Sequence, residues 1–245
     1  MQQKVVMVIG ASGAIGAAVC AQLKRPDNLV IGVDIKENAG SAAIDESVVC
    51  DIRDTPALHH VFESVARRHG RVDALVNSAG VGSTGAAASI DEAEWDRVQS
   101  INLKATFFAC QAALAIMMRQ HGGSIVNVGS LVGRNGGNAR PWQRQAELAE
   151  ASNAAYAAAK AGVHALTLSL AKEAARFGIT VNAVAPGPIA TPMTRDFPDT
   201  LRNQIPVGRM GRPEDVARAI EFLLDPRNSF ITGEVLDING GLLCD

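Results

Sequence analysis

One tyrosine and one lysine stand four residues apart in this 245-residue chain, in the alanine-rich segment Tyr156-Ala-Ala-Ala-Lys160. Residues i and i+4 share one face of a helix, so the two side chains would meet if this segment is helical. An ammonium group close to a phenol favours the phenolate and lowers the phenol's pKa. Such a tyrosine could exchange a proton with an alcohol near neutral pH. Because Tyr156 is the only tyrosine, we interpret the pair as catalytic, with an ordinary helical Tyr/Lys pair as the alternative.

A glycine-rich segment near the amino end, Gly10-Ala-Ser-Gly-Ala-Ile-Gly16, follows an apolar strand pattern and begins a helical one. Glycines in such a turn let the backbone approach a pyrophosphate closely, and the first N–H groups of the helix face the phosphates. A tight turn without a ligand is the alternative. The segment predicts cofactor contacts at Gly10, Ser12, Gly13, Ala14, Ile15 and Gly16.

An acidic residue at the end of the second predicted strand bears on which dinucleotide is bound. Asp34 lies eighteen positions after Gly16, where a carboxylate can accept hydrogen bonds from the adenosine ribose and repel a 2′-phosphate. Ser12 and Gly13 occupy the places where a basic residue could compensate that phosphate, and Lys36 lies beyond the carboxylate. We therefore predict NAD rather than NADP, with a simple strand-end cap as the alternative role of Asp34.

Strand-like and helix-like segments alternate along the chain. The predicted strands are Lys4–Gly10, Leu29–Asp34, Ser47–Cys50, Val72–Asn77, Ser124–Val128, Ile179–Val184 and Val235–Ile238. The predicted helices are Ala14–Leu23, Asp54–His69 with Asp54 as N-cap, Asp91–Gln120 in two pieces, Ala154–Arg176 and Pro213–Leu224. Apolar strands alternating with helices predict an α/β fold, with a parallel sheet covered on both faces. We expect a single domain, residues 1–245, built as a Rossmann-like doubly wound parallel sheet of about seven strands.

Taken together, these motifs resemble the classical short-chain dehydrogenase/reductase family over essentially the whole chain. The matching segments fall in family order and include Asp51-Ile52, Asn77-Ser78-Ala79-Gly80, Asn102 at a helix start, Ser130, the Tyr156/Lys160 pair and Pro186-Gly187-Pro188-Ile189-Ala190-Thr191. Two residues depart from the family pattern, since Ala14 stands where glycine is usual and Ser78 where asparagine is commoner. We expect weaker dinucleotide binding from the first change at most.

The resemblance implies a role for each catalytic residue. Tyr156 is the general acid/base, Lys160 lowers its pKa and binds the nicotinamide ribose, and Ser130 orients the substrate oxygen. Asn102 kinks its helix and holds a water that links Lys160 to solvent. Asp51 would meet the adenine amino group. The remaining implied cofactor contacts are Ile35, Ile52, Asn77, Ala79, Gly80, Pro186, Gly187, Ile189 and Thr191.

The interval between Ser130 and Tyr156, 26 positions, is longer than the family usually has. We interpret the extra residues, around 133–152, as an insertion passing over the substrate end of the cofactor. Its candidate substrate contacts, to an anionic or aromatic group, are Arg140, Trp142 and Arg144, which with Arg134 form a basic stretch. A solvated excursion or a contact with another subunit is the alternative.

The interval between Asp34 and Asp51 is short, at seventeen positions. A strand–helix–strand crossover normally needs more residues, so we expect Lys36–Glu46 to form a loop. The adenine side of the cofactor groove would then be more open.

Composition excludes several other classes of protein. Hydrophobic residues make up 47% and charged residues 20%, which argues against disorder, and the net charge of −2 gives no general attraction to nucleic acid or an anionic membrane. Five scattered histidines lack zinc-ligand spacing, and we interpret them as surface or helix residues, with no metal site. Four cysteines far apart suit buried free thiols, and with no signal peptide apparent we expect a cytoplasmic protein.

These observations converge on an NAD(H)-dependent oxidoreductase that interconverts a small secondary alcohol and a ketone. One alternative is a 3-oxoacyl-carrier-protein reductase-like enzyme, which would generally use NADPH. Another is a dinucleotide-binding regulatory protein without turnover. The resemblance also implies a homotetramer. We expect no nucleic-acid partner and no membrane association.

Overall fold

Seven strands form one parallel sheet in the computed structural model, which describes residues 3–37, 41–83, 86–137 and 154–244. The strands lie in the order β3-β2-β1-β4-β5-β6-β7. Their bounds are Lys4–Ile9 (β1), Asn28–Asp34 (β2), Glu46–Val49 (β3), Ala74–Asn77 (β4), Gly123–Val128 (β5), Ile179–Pro186 (β6) and Val235–Ile238 (β7). The predicted Rossmann-like α/β fold is confirmed.

Helices cover both faces of the sheet. Their bounds are Ala14–Leu23 (α1), Thr55–His69 (α2), Glu92–Gln99 (α3), Ala105–Gln120 (α4), Val132–Asn135 (α5), Ala154–Ala174 (α6), Asp199–Arg202 (α7) and Pro213–Leu224 (α8). Buried side chains of α2, α4 and α6 share one core with the sheet. Those of α1 and α8 share the core on the opposite face.

Alternation along β1 shows why its run of apolar residues is buried on both sides. Val5 and Met7 point into the core beneath α2, α4 and α6. Val6 and Val8 point into the core beneath α1 and α8. Successive side chains of a strand face opposite sides of the sheet, so a central strand needs apolar residues at every position.

Helix α2 begins and ends where the sequence predicts. The Asp54 side chain accepts a hydrogen bond from the Ala57 amide at 3.0 Å, which makes it the N-cap. Gly70 ends the helix in the left-handed conformation, with φ of 77°.

The helical segment before β5 consists of two α-helices, as predicted, but they are joined without a break. Helix α3 runs into a π-helical turn, Ser100–Lys104, and then directly into α4. Asn102 therefore lies inside this turn, so its predicted place at a helix start was wrong. Among the described residues, Glu92–Gln120 is also the one helical stretch long and apolar enough to cross a membrane, but 56% of its most apolar part is buried inside the protein.

The crossover from β2 to β3 is a loop, as expected, in the residues that the structure describes. Ile44 of this loop packs into the core on the α1 side. A Cβ added to Gly32 of β2 would lie 2.8 Å from the Ile44 Cδ1 atom, so the missing side chain makes room for the isoleucine. Asp45 fixes the loop, because its carboxylate accepts a hydrogen bond from the Val30 amide at 2.8 Å.

All four cysteines are free thiols. Cys20, Cys50 and Cys110 are buried as expected, whereas Cys244 is exposed, so the expectation was wrong for that residue.

Candidate active site

The glycine-rich turn joins β1 to α1 by close backbone contacts. Gly10 has φ of 83°, a left-handed conformation that glycine adopts without strain. A Cβ on Gly10 would lie 2.5 Å from the Ala79 amide nitrogen, and one on Gly16 would lie 2.8 Å from the Gly10 carbonyl carbon. The turn therefore lies directly against the segment that follows β4. Helix α1 has no acidic residue in its first turn, so its N-terminus can receive an anion.

Asp34 lies at the end of β2, beside this turn. Its carboxylate accepts hydrogen bonds from the Ser12 amide at 2.9 Å and the Lys36 amide at 3.2 Å. Ile35, the next residue, is 59% exposed. The carboxylate is thus fixed at the open edge of the sheet, where it can accept further hydrogen bonds from ribose hydroxyls.

Asp51 lies after β3 and is held by Arg53. The Arg53 guanidinium donates to both carboxylate oxygens, with its Nη2 at 2.6 Å and its Nε at 3.0 and 3.1 Å. These side-chain hydrogen bonds lower the pKa of Asp51, so the group is an ionised acceptor suited to an amino group. The sequence did not assign a role to Arg53, and Ile52 beside it is half-buried.

The Asn77–Gly80 segment contributes differently from its predicted role. The Asn77 side chain is buried and donates to the side-chain Oδ1 atom of Asn127 at 2.9 Å and to the Cys110 sulfur at 3.3 Å. Its side chain therefore points into the core, and the prediction that it lines the groove holds at most for its backbone. Gly80 is exposed at the groove, and a Cβ there would lie 2.9 Å from the Asn102 Oδ1 atom.

Asn102 joins the loop after β4 to the π-helical turn. Its Nδ2 group donates to the Val98 carbonyl at 3.0 Å and to the Val81 carbonyl at 2.9 Å. Its Oδ1 atom accepts from the Val81 amide at 3.0 Å. The two contacts with Val81 fix the loop that carries Gly80, which also faces the Lys160 ammonium.

Tyr156 and Lys160 lie one turn apart on α6, with the Lys160 Nζ atom 5.7 Å from the centre of the tyrosine ring. Lys160 is 3% exposed, and its ammonium donates to the Val128 carbonyl at 2.7 Å. Burial lowers the pKa of Lys160 from 10.5 to about 8. The lysine is therefore a cation up to mildly alkaline pH.

Tyr156 interacts with Ser130. Burial raises the pKa of Tyr156, and a hydrogen bond with the Ser130 hydroxyl partly offsets that rise. The expected lowering by Lys160 is not found, since the pKa of Tyr156 is raised. The Lys160 ammonium is directed at the Val128 carbonyl. Ser130 also accepts a hydrogen bond from the Val132 amide at 3.2 Å, which leaves its own O–H free to donate.

The segment after β6 lies at the carboxyl edge of the sheet, between Leu131 and the end of β7. The Pro186 carbonyl accepts from the Leu131 amide at 2.9 Å, and the Gly187 amide donates to the Ile238 carbonyl at 3.0 Å. Ile189 is buried. The Thr191 amide donates to the Thr194 hydroxyl at 3.1 Å, so this segment is ordered by its own hydrogen bonds beside Ser130.

The predicted substrate contacts Arg140, Trp142 and Arg144 lie outside the described residues, as does most of the 133–152 insertion. Arg134 lies within the described residues and contacts β7. It pairs with Asp237 of β7 at 3.4 Å and also bonds the Val235 carbonyl. Its expected place in a basic specificity stretch was therefore wrong. Within the described ranges, no group of three or more His, Cys, Asp or Glu residues could hold a metal ion.

The sequence and the fold are similar to those of known proteins. Residues 10–243 match the model of a family described as enoyl-(acyl carrier protein) reductase. A 3-oxoacyl-acyl-carrier-protein reductase FabG from Thermotoga maritima is 38% identical over 99% of each chain. One from Vibrio cholerae is 36% identical over 99% of this chain and 98% of the relative. The ligand-free structure of Thermoplasma acidophilum aldohexose dehydrogenase is 30% identical, with a TM-score of 0.85, and covers 98% of this chain and 94% of that one.

Burial of Lys160 predicts a pH-dependent stability difference. The unfolded chain keeps the lysine proton up to about pH 10.5, whereas the folded protein releases it near pH 8. Stability contributed by this group therefore rises with pH between these values, by up to about 3 kcal/mol. Urea unfolding of the ligand-free protein should show the free energy of unfolding rising from pH 7 to 9.5 relative to Lys160→Met. The exposed Lys172 on the same helix supplies the control Lys172→Met, and a pH-independent difference for Lys160→Met would contradict the prediction.

Proposed function

The chain belongs to the short-chain dehydrogenase/reductase family, and from this premise we propose that it reduces a ketone to a secondary alcohol with Tyr156 as the proton donor. Membership makes it an oxidoreductase that uses a nicotinamide dinucleotide. The observation that supports the proposal most is the hydrogen bond between the Tyr156 and Ser130 hydroxyls, with the Lys160 ammonium on the same helix face. Two of these side chains come from α6 and the third follows β5, and they meet at the carboxyl edge of the sheet.

The residues of the groove fit a dinucleotide. The N-terminus of α1, without acidic residues, suits the pyrophosphate, and the fixed Asp34 carboxylate suits the adenosine ribose. Gly80 lies close to the Lys160 ammonium. Lys160 would bond the ribose of the nicotinamide half. When bound, the nicotinamide supplies the hydride to the carbonyl carbon.

Tyr156 donates the proton to the substrate oxygen. The raised pKa keeps its phenol protonated at neutral pH, which suits a general acid. The Ser130 hydroxyl, which lies beside Tyr156 and accepts from the Val132 amide, would turn its O–H from the phenol to the same substrate oxygen. After transfer, a phenolate remains on Tyr156, and the hydrogen bond with Ser130 favours this charged form. In the reverse direction the phenolate accepts the proton of the alcohol.

For the substrate we propose a 3-oxoacyl thioester. The support is the similarity over nearly the whole chain to proteins named 3-oxoacyl-acyl-carrier-protein reductase. The second candidate is a small secondary alcohol oxidised with NAD. Asp34 favours this candidate, as does the similarity to an aldohexose dehydrogenase.

The reaction is tested by reducing acetoacetyl-CoA with NADH and NADPH, beside oxidation of a panel of aldohexoses with NAD. We expect turnover of the thioester by the unaltered protein. Tyr156→Phe should lower kcat by about 100-fold or more, because it removes the proton donor. Binding of the dinucleotide, followed by fluorescence, should stay unchanged in this variant. A Tyr156→Phe protein that turned over at the normal rate would refute the acid role, and turnover of aldohexoses alone would favour the second candidate.

For the cofactor we propose NAD(H), since a 2′-phosphate would meet the Asp34 carboxylate. The kcat/KM with NADH should exceed that with NADPH. Asp34→Ala should move the NADPH/NADH ratio of kcat/KM upward by about tenfold or more, equivalent to about 1.4 kcal/mol. Glu37→Ala, a change to an exposed acid of the same loop, should leave the ratio unaltered. A clear NADPH preference in the unaltered protein would overturn this choice.

We further propose a cytoplasmic homotetramer that packs α4 and α6 against the same helices of other subunits. Phe107 of α4 is 37% exposed and Leu168 of α6 is 45% exposed, which supports an interface there. The three buried free thiols suit a reducing compartment, which fractionation of the cells tests.

Sedimentation should show a tetramer for the unaltered protein and a smaller species for Leu168→Glu, since a buried carboxylate would oppose helix packing. Val49→Glu, at an exposed valine of the edge strand β3, should remain tetrameric. A monomeric unaltered protein would exclude the proposed assembly.

A further inference from the structure

Strand β5 extends beyond the end of its neighbour β4. The last pair of the β4–β5 ladder is Asn77 with Asn127. Beyond it, the Gly129 amide bonds the Val184 carbonyl at 2.8 Å and the Leu131 amide bonds the Pro186 carbonyl at 2.9 Å. These groups face β6. Successive residues of a strand direct their backbone groups to opposite neighbours, so Val128 and Ser130 face the side where β4 has ended.

Two side chains of α6 bond the backbone groups on that side. The Lys160 ammonium donates to the Val128 carbonyl at 2.7 Å. The His164 Nε2 atom accepts a hydrogen bond from the Ser130 amide at 3.3 Å. The two residues are four apart, as are Tyr156 and Lys160, so Tyr156, Lys160 and His164 form one row along the helix.

The imidazole is closely packed against the strand. His164 is 8% exposed. A Cβ on Gly129 would overlap its Nε2 atom and lie 2.6 Å from its Cδ2 atom. The absence of a side chain at Gly129 is therefore what allows the histidine to reach the amide of the next residue.

The histidine is neutral in this position. Burial, followed by the charges of Arg134 and Lys160, lowers the pKa of His164 to about 4. These two cations are the charged groups that affect it, from α5 and from its own helix. Because Nε2 accepts an N–H hydrogen bond, the ring proton lies on Nδ1.

We propose that His164 is a positioning residue for the catalytic serine, holding the Ser130 backbone so that its hydroxyl meets Tyr156. The adjacent amides of Gly129 and Leu131 are held by β6, whereas the amide of Ser130 itself depends on this side chain. Without the acceptor, the Ser130 amide would be buried and unpaired, and the turn would shift to expose it. This role in turnover rests on the proposed function, while the contact itself does not.

The test compares His164→Leu, which removes the acceptor, with His164→Gln, whose Oε1 atom can take the place of Nε2. Residue-resolved amide hydrogen exchange of Ser130 reports the contact without any substrate. We expect faster exchange of this amide in His164→Leu and normal exchange in His164→Gln. Acetoacetyl-CoA reduction should show kcat lowered by about 10- to 100-fold in His164→Leu, little change in the KM for the dinucleotide, and recovery in His164→Gln.

Leu170→Ala provides the matched control, because Leu170 is a buried residue of the same helix, in the core that α6 shares with α2 and α4. It should lose thermal stability without a comparable fall in kcat. Unchanged Ser130 exchange in His164→Leu would overturn the inference. So would equal loss of kcat in both histidine variants, or a normal kcat in His164→Leu. If the unaltered protein turns over no thioester or alcohol, the proposed function fails, and the exchange result alone decides whether the histidine holds the serine.

Discussion

Backbone groups buried at the carboxyl edge of a parallel sheet must find partners where the neighbouring strand has ended. The short β4 strand stops at Asn77, while β5 continues. The open positions are bonded by side chains of α6, which lies across this face of the sheet. The position of the Lys160 ammonium is therefore set by a backbone carbonyl as much as by the tyrosine beside it. The same hydrogen bonds that pair the buried backbone groups after β5 also hold Lys160 and Ser130 near Tyr156.

The glycine-rich turn follows from a different requirement, close approach between backbones. Gly10 and Gly16 bring α1 against the first strand and against the segment after β4. Asp34 then ties the turn to β2 through the Ser12 amide. The crossover loop that follows lacks the bulk of a helix in its described residues, and Ile44 fills the space instead. The Asp34 carboxylate consequently lies partly exposed at the carboxyl end of β2.

The strands and main helices could be predicted from the sequence because their signals are local. Apolar runs indicate the strands, and Asp54 as N-cap marks the start of α2. The role of a residue is harder to predict from the sequence when its contact partner is distant along the chain. His164 lacks metal-ligand spacing, which predicts a surface or helix residue, although its place four residues after Lys160 is a usable signal.

Other errors have the same origin. Asn77 matched a family segment, but its side chain is bonded to Asn127 and Cys110 in the core. Arg134 was grouped with its basic neighbours in sequence, yet a carboxylate of β7 holds it. The π-helical turn leaves no compositional mark, and it placed Asn102 within a helix rather than at its start.

That π-helical turn also changes how the apolar residues of its two flanking helices are arranged. A single added residue advances the helical phase by about 100°, the angle between successive residues of an α-helix. The side of α3 that faces the protein, which carries the buried Val98, is therefore rotated relative to the buried side of α4. Helix α3 can leave Trp95 at the surface while α4 buries nine of its residues. One inserted residue thus lets two joined helices turn different sides toward the protein. A strict 3.6-residue period continued from α3 through α4 would assign the wrong buried face to one of these helices.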